Sequence, residues 1–222
     1  MRLIIDSANI EKIQEYVKYL PVEGVTTNPS ILKKEGKIDF AQHIKQIREI
    51  IGTDKSMHVQ TIASDYEGIL KDAETIQRLI GEDTYIKIPA NKDGLAAIKT
   101  LKAQGVKITA TAIYNEIQAI LATELNADFL APYVNRMSNL NTDPYQAISN
   151  IYENIKRTDS ETKILAASFK NVDQVLKANL AGAEFVTVGT DVVDAFLADA
   201  NINHAVTQFT NDWYDIHNKF EI

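Results

Sequence analysis

The stretch TYIKIPANKDGLAAIKTLKAQGVKITATA, residues 84–112, shows the pattern that decides the fold. A short run of β-branched and apolar residues at 84–88 is followed by a segment of helical period at 93–104. Gly105 ends that helical segment, and a second β-rich run follows at 107–112. The stretch therefore predicts one strand–helix–strand unit.

The same unit recurs along the chain, with no low-complexity linker between copies. Eight β–α units predict an α/β protein with a (β/α)8 TIM barrel fold, formed by residues 1–222 as a single domain. An open doubly wound sheet is the competing architecture, but no G-x-G-x-x-G motif follows the first strand. The predicted strands are 2–6, 23–27, 57–62, 84–88, 107–112, 128–134, 163–168 and 184–189.

The composition is typical of a globular enzyme, with 45% hydrophobic and 24% charged residues. The net charge is −7 and the 23 basic residues are scattered, which argues against nucleic-acid binding. Cysteine is absent, which excludes disulfides, thiolate catalysis and thiolate zinc sites. No apolar stretch approaches the length of a membrane span, and the first strand follows Met1-Arg2 without room for a signal peptide. We therefore expect a cytoplasmic protein.

Lys87 lies inside the apolar run Tyr85-Ile86-Lys87-Ile88-Pro89. Burial disfavours the charged ammonium, and the neutral amine is the form that attacks a carbonyl carbon to make a Schiff base. Lys87 is therefore a candidate nucleophile. The alternative is a lysine whose stem follows the strand while its ammonium group reaches solvent.

Polar side chains end seven of the predicted strands, where barrel enzymes carry their chemistry. Each has a structural alternative, since Asp6 and Ser168 could cap helices and Asn28 could form a turn. Together, an acid, an amine, amides, hydroxyls and a guanidinium at one mouth favour an active site. These residues are Asp6, Thr26, Thr27, Asn28, Gln60, Lys87, Thr109, Thr111, Tyr133, Arg136 and Ser168.

Arg136 and Ser168, on neighbouring strand ends, could bind an oxyanion such as a phosphate ester. The alternative for Arg136 is an ion pair with a nearby carboxylate. The motifs G-x-x-x-x-G-K-[ST] and H-E-x-x-H are absent, and no metal or other cofactor is expected. Four histidines show no metal-ligand spacing and are expected at the surface or in the core: His43, His58, His204 and His217.

Five segments resemble the small transaldolases and fructose-6-phosphate aldolases, and together they span nearly the whole chain. The most specific is GVTTNPS at 24–30, whereas YIKIP at 85–89 alone is weak. The others are GLAAI at 94–98, APYVNR at 131–136 and LAASFK at 165–170.

The resemblance implies roles for the polar strand ends. Lys87 matches the Schiff-base lysine, Asp6 the acid beside it, and Thr111 a hydroxyl that helps to position a catalytic water. The residues implied for substrate binding are Thr26 and Asn28 for the dihydroxyacetone hydroxyls, and Arg136 and Ser168 for the phosphate.

Two activities of this family share the lysine chemistry. Both cleave fructose 6-phosphate between carbons three and four; an aldolase then releases dihydroxyacetone, whereas a transaldolase passes it to an aldose phosphate such as erythrose 4-phosphate. Similar transaldolases place glutamate on the third strand and usually phenylalanine on the sixth. Gln60 and Tyr133 of this chain match the aldolase branch, because the phenol can carry a proton that the amide cannot. Thr109 matches neither branch and leaves the substrate preference open.

We therefore expect a class I aldolase that acts on sugar phosphates. The alternatives are a transaldolase of the pentose phosphate pathway and a barrel that binds sugar phosphate without turnover. Beyond the eighth unit, a helix at about 200–218 carries an apolar stripe that could cover its own barrel. The resemblance instead implies contact with a neighbouring subunit of a homo-oligomer, a pentamer or decamer. The stripe consists of Ile202, Ala205, Val206, Phe209, Trp213 and Ile216.

Overall fold

The computed structural model describes residues 1–222 as a closed barrel of eight parallel strands, each paired with the next and the eighth with the first. This confirms the predicted TIM barrel and excludes the open sheet. Each strand lies within two residues of its predicted bounds. The strands are β1 Arg2–Asp6, β2 Val22–Thr26, β3 Ser56–Gln60, β4 Tyr85–Pro89, β5 Ile108–Ile113, β6 Phe129–Pro132, β7 Lys163–Ala166 and β8 Phe185–Val188.

Helices surround the barrel, and several begin at an asparagine or aspartate whose side chain accepts a backbone N–H of the first turn. None of them combines the length and the apolar character that a membrane span needs. They are α1 Ile10–Tyr16, α2 Pro29–Leu32, α3 Phe40–Ile51, α4 Tyr66–Ile80, α5 Lys92–Ala103, α6 Glu116–Glu124, α7 Val134–Asn139, α8 Pro144–Arg157, α9 Val172–Leu180, α10 Thr190–Asp194 and α11 Ala200–His217, with 3-10 turns at Lys33–Glu35 and Ala195–Leu197.

The strands β2 and β3 approach each other closely at Gly24. A Cβ atom at this position would lie 2.3 Å from the backbone oxygen of Ser56, so no larger residue fits without moving the strand. Thr26 pairs with His58 two residues further along. The glycine of the GVTTNPS segment therefore brings the end of β2 against β3.

An aromatic plug closes the barrel interior near the amino ends of the strands. Tyr85, Phe129 and Phe185 are the first residues of β4, β6 and β8. The ring centroids of Tyr85 and Phe129 are 5.1 Å apart, as are those of Phe129 and Phe185, and both pairs meet edge to face. Ile4 and Leu165 pack in the same cluster. His58 is a polar residue that packs on this plug, against Tyr85 and Phe129.

A bulge interrupts β5 at the polar end of the barrel. Ala110 pairs with Leu130 and Ile113 with Pro132, so β5 advances three residues over the distance in which β6 advances two. The extra residue is Ala112, whose φ of 54° is left-handed although it carries a Cβ. The bulge directly follows Thr111.

The C-terminal helix α11 matches the predicted helix but has no buried residue. Phe209 is 69% exposed and Ile216 is 74% exposed. The apolar stripe therefore does not cover the barrel of its own chain.

Candidate active site

Lys87 lies inside the barrel, 4% exposed, on β4. Its Nζ donates a hydrogen bond to the backbone oxygen of Thr27, 3.2 Å away. Burial lowers the pKa of Lys87, and the carboxylate of Asp6 opposes part of that shift. The ammonium group does not reach solvent, so the alternative of a solvent-reaching lysine does not hold.

Asp6 ends β1 and forms the acid side of the site. Its Oδ1 accepts the Thr26 hydroxyl at 2.6 Å, and the Oγ1 atoms of Thr26 and Thr187 are 2.5 Å apart. Because Thr26 donates to Asp6, Thr187 donates to Thr26. Burial raises the pKa of Asp6, while Lys87 and the Thr26 hydroxyl act to lower it. Asn9 caps α1, so Asp6 is not a helix cap.

Thr26 and Asn28 are placed differently from each other. Thr26 is fully buried and its hydroxyl is occupied by Asp6 and Thr187. Asn28 caps α2, with its Oδ1 accepting the backbone N–H of Ile31 at 3.0 Å. The amide Nδ2 of Asn28 makes no hydrogen bond within the chain and is the atom it can offer to a substrate hydroxyl.

Thr111 on β5 and Tyr133, which directly follows β6, form a hydroxyl pair. Their oxygen atoms are 3.0 Å apart. Burial raises the pKa of Tyr133, opposed by the Thr111 hydrogen bond and the Arg136 charge. The phenol therefore stays protonated at neutral pH. Gln60 pairs in register with Lys87, and its buried Oε1 has no hydrogen-bond partner.

Arg136 is exposed at the rim, and its Nη1 donates to the Tyr114 hydroxyl at 3.1 Å. Its guanidinium carbon lies 4.8 Å from the centre of the Tyr133 ring. No carboxylate lies within ion-pair distance of Arg136, so the predicted alternative of an ion pair is wrong.

Ser168 lies on the loop next to Arg136, half-buried and with a left-handed φ of 63°. Its backbone oxygen accepts the N–H of Asn135 at 2.8 Å, which ties this loop to helix α7. Asn171 caps α9, so Ser168 is not a helix cap. Helix α7 after β6 and the loop after β7 thus present a guanidinium and a hydroxyl without competing acidic partners.

A model of the family described as transaldolase/fructose-6-phosphate aldolase matches residues 3–221. The chain belongs to that family. A probable fructose-6-phosphate aldolase of Streptococcus pneumoniae is 50% identical over 222 residues, all of both chains. A probable transaldolase of Methanococcus maripaludis is 35% identical over 96% of this chain and 97% of the relative. A probable transaldolase of Petrotoga mobilis is 34% identical over 96% of this chain and 95% of the relative.

Among solved structures, an inosine 5′-monophosphate dehydrogenase from Legionella pneumophila superposes with a TM-score of 0.60. The match covers 86% of this chain and 58% of that chain at 14% identity. At that identity, the likeness concerns the barrel fold alone.

Thr109, which fits neither branch of the family by resemblance, has an internal partner. Its Oγ1 lies 2.8 Å from Nδ1 of His58, and both residues are fully buried. The imidazole stacks on Tyr85 at 4.7 Å, and burial holds the pKa of His58 well below its usual range. This hydrogen bond joins β3 to β5 on the interior side of β4. It gives the Thr109 hydroxyl a partner within the protein, so no substrate contact is needed to explain a threonine here. His58 is the predicted core histidine.

Two residues that contact the site of this transaldolase/aldolase barrel were not predicted. Thr187 is polar and lies on β8, so the rule of polar strand ends would have found it. Tyr114 lies beyond the bulge of β5, where the rule does not reach. No group of three or more acidic or histidine side chains is arranged to hold a metal ion.

Cavities lie at both ends of the barrel. A cavity of about 300 Å³ opens beside Asp6, between Asn9, Lys34 and Thr190. A cavity of about 870 Å³ lies at the opposite end, near Asp128, and contains none of the predicted site residues. Of the predicted site residues, only Asp6 lines the smaller cavity, which opens at the carboxyl ends of the strands.

Proposed function

We propose that this protein is a class I aldolase that cleaves fructose 6-phosphate to dihydroxyacetone and glyceraldehyde 3-phosphate, and catalyses the reverse addition. The observation that carries the proposal is the burial of Lys87 in the barrel, because burial favours the neutral, nucleophilic amine. The 50% identity to a probable fructose-6-phosphate aldolase supports the substrate.

In the first half-reaction, Nζ of Lys87 attacks carbon two of the substrate, and loss of water gives an iminium. This cation accepts the electron pair of the carbon three–carbon four bond as that bond breaks, and the carbon-four hydroxyl gives its proton to the water that Thr111 and Gln60 orient. Glyceraldehyde 3-phosphate leaves and an enamine remains.

Asp6 is suited to proton exchange at the amine, because Asp6 bonds to Thr26 and Lys87 to the adjacent Thr27, which brings the two groups to neighbouring positions. Thr26 acts through Asp6, and Asn28 meets the dihydroxyacetone hydroxyls.

In the second half-reaction, protonation of the enamine and hydrolysis release dihydroxyacetone. The Tyr133 phenol supplies the proton, and Thr111 and Gln60 orient the water. Gln60 lies beside Lys87 in register, where an amide holds water but exchanges no proton. Arg136 and Ser168 bind the phosphate of the departing aldehyde.

Transaldolase activity is the second candidate, favoured by the probable transaldolases at 34–35% identity. Such an enzyme would serve the pentose phosphate pathway. A barrel that only binds sugar phosphate is the third candidate, but it has no use for a buried lysine.

One experiment separates the three. The protein is incubated with fructose 6-phosphate alone and assayed for free dihydroxyacetone, and then with added erythrose 4-phosphate. Release of dihydroxyacetone without an acceptor supports the aldolase, and its transfer only to an acceptor supports the transaldolase. The absence of both release and transfer supports the binding barrel. Borohydride reduction with dihydroxyacetone and peptide mapping should place the adduct on Lys87, with Lys87→Met as the blank.

We also propose that the protein works as a cytoplasmic homo-oligomer, a pentamer or decamer by resemblance. The exposed stripe of α11 supports contact with a second copy, because Val206, Phe209 and Ile216 are unburied within the chain. Light scattering on wild type and Phe209→Asp tests this. A wild-type monomer, or an unchanged mass in the variant, would contradict it.

A further inference from the structure

Two strand ends of the barrel are built alike. TATAIYNEIQ, residues 109–118, follows the course of β5 into α6, and LAASFKNVDQ, residues 165–174, follows β7 into α9. Each segment contains a left-handed residue that is not glycine, Ala112 in one and Ser168 in the other. Each then has an asparagine helix cap and ends in a glutamine at the third helical position.

In the first segment, Gln118 joins two loops. Its Oε1 accepts the backbone N–H of Tyr114 at 2.9 Å. Its Nε2 donates to the backbone oxygen of Ala90 at 2.9 Å and to that of Ala112 at 3.4 Å. One half-buried amide therefore links the end of β4, the strand that carries Lys87, to the bulge of β5.

The bulge needs such a link because a left-handed backbone is disfavoured for a residue with a Cβ. Ala112 directly follows Thr111, whose hydroxyl bonds to Tyr133. On the far side of the bulge, Tyr114 holds Arg136. A shift of this loop would move the hydroxyl pair relative to Lys87.

In the second segment, Gln174 makes the corresponding link. Its Oε1 accepts the N–H of Lys170 at 2.8 Å, and its Nε2 donates to Oδ1 of Asn135 at 3.2 Å. It therefore joins the loop of Ser168 to helix α7, which carries Arg136. It has no hydrogen bond to the loop of Thr111, and this makes it a matched control.

We propose that Gln118 is a positioning residue for the proton-transfer step, holding the Thr111–Tyr133 pair at a fixed place relative to Lys87. The inference rests on the proposed aldolase function. The amide touches no reacting atom and acts through the carbonyl groups of Ala90 and Ala112.

The test compares Gln118→Glu with Gln174→Glu. In Gln118→Glu, the retained oxygen still accepts from Tyr114, but a carboxylate oxygen replaces the donor that faced Ala90 and Ala112. We expect kcat to fall on the order of ten- to a hundred-fold for phosphorylated and unphosphorylated aldehydes alike. Borohydride trapping of dihydroxyacetone on Lys87 and the KM for the phosphorylated aldehyde should stay within about twofold of wild type. Gln174→Glu should instead raise the KM for the phosphorylated aldehyde alone.

An unchanged kcat in Gln118→Glu, or an equal fall of kcat in both variants, would overturn the positioning role. If Gln118→Glu does not melt cooperatively, the neutral Gln118→Met carries the same test, with a raised KM for the phosphorylated aldehyde expected as well because the Tyr114 contact is lost. Wild-type protein that releases no dihydroxyacetone from fructose 6-phosphate would reject the proposed function and this role together. Active wild type beside an unimpaired variant rejects this role alone.

Discussion

Tyr133→Phe removes one oxygen atom from the proposed site and should separate proton transfer from Schiff-base formation. The phenol is the hydrogen-bond partner of the Thr111 hydroxyl, at 3.0 Å. A positioned general acid typically contributes about 10²- to 10⁴-fold to a rate. We therefore expect cleavage of fructose 6-phosphate to fall by that factor, while dihydroxyacetone is still trapped on Lys87.

The same substitution also has a cost in stability, which can be worked out separately. Thr111 is fully buried, so its hydroxyl would lose its partner at a cost of about 1–3 kcal/mol. A chain of this size loses roughly 2–4 °C of melting temperature for each kcal/mol. Because folded domains have about 5–15 kcal/mol of stability, the variant remains folded at 25 °C. Unfolding therefore cannot explain a hundred-fold loss of activity.

The assay measures dihydroxyacetone release, the borohydride adduct and thermal melting on the same preparation. Thr111→Val is the matched control, because it breaks the same hydrogen bond and keeps the phenol. We expect it to lose less activity than Tyr133→Phe. The reasoning is refuted if Tyr133→Phe cleaves at a rate close to wild type, or if the adduct disappears together with cleavage.

Four further predictions concern the phosphate, the branch of the family and pH. Arg136→Ala should raise the KM for phosphorylated aldehydes and spare unphosphorylated ones, since no acidic group competes for the guanidinium; equal losses in a two-substrate comparison would assign Arg136 another role. Gln60→Glu should raise transfer to erythrose 4-phosphate relative to dihydroxyacetone release, because a carboxylate can exchange a proton; a product-ratio assay that shows no change contradicts this. Trapping on Lys87 should increase with pH and then level off, and the midpoint of the rise should lie below the ordinary pKa of 10.5, because burial lowers the pKa of the amine, as initial rates over a pH series would show. Asp6→Asn should move that plateau to lower pH, because Asp6 raises the pKa of Lys87; a shift to higher pH would contradict the assignment.

The fold was predictable because each strand is a short β-rich run and each helix has a 3.6-residue period. Parallel strands then bring their carboxyl ends together, so Asp6 and Lys87 could be placed at one mouth without coordinates. Capping could not be assigned in this way, because Asn9 and Asn171 compete for the positions that Asp6 and Ser168 could have filled.

Contacts that depend on irregular backbone were not predictable. The bulge at Ala112 places Tyr114 where its hydroxyl accepts a hydrogen bond from Arg136. The hydrophobic periodicity of a sequence does not reveal a bulge in one strand of a pair. Partners that cross the interior were equally hidden, since His58 meets Thr109 beneath the intervening strand. The sequence places Thr26 at the correct strand end, but it does not show that the Thr26 hydroxyl donates to Asp6 instead of facing the cavity.

The aromatic plug determines how molecules reach Lys87. Tyr85, Phe129 and Phe185 obstruct the amino end of the interior, so substrate, acceptor and hydrolytic water all share the entrance at the other end. An acceptor aldehyde seated in that entrance stands in the path of water to the enamine. Acceptor and water then compete for the same entrance. The ratio of transfer to hydrolysis should therefore increase with the acceptor concentration.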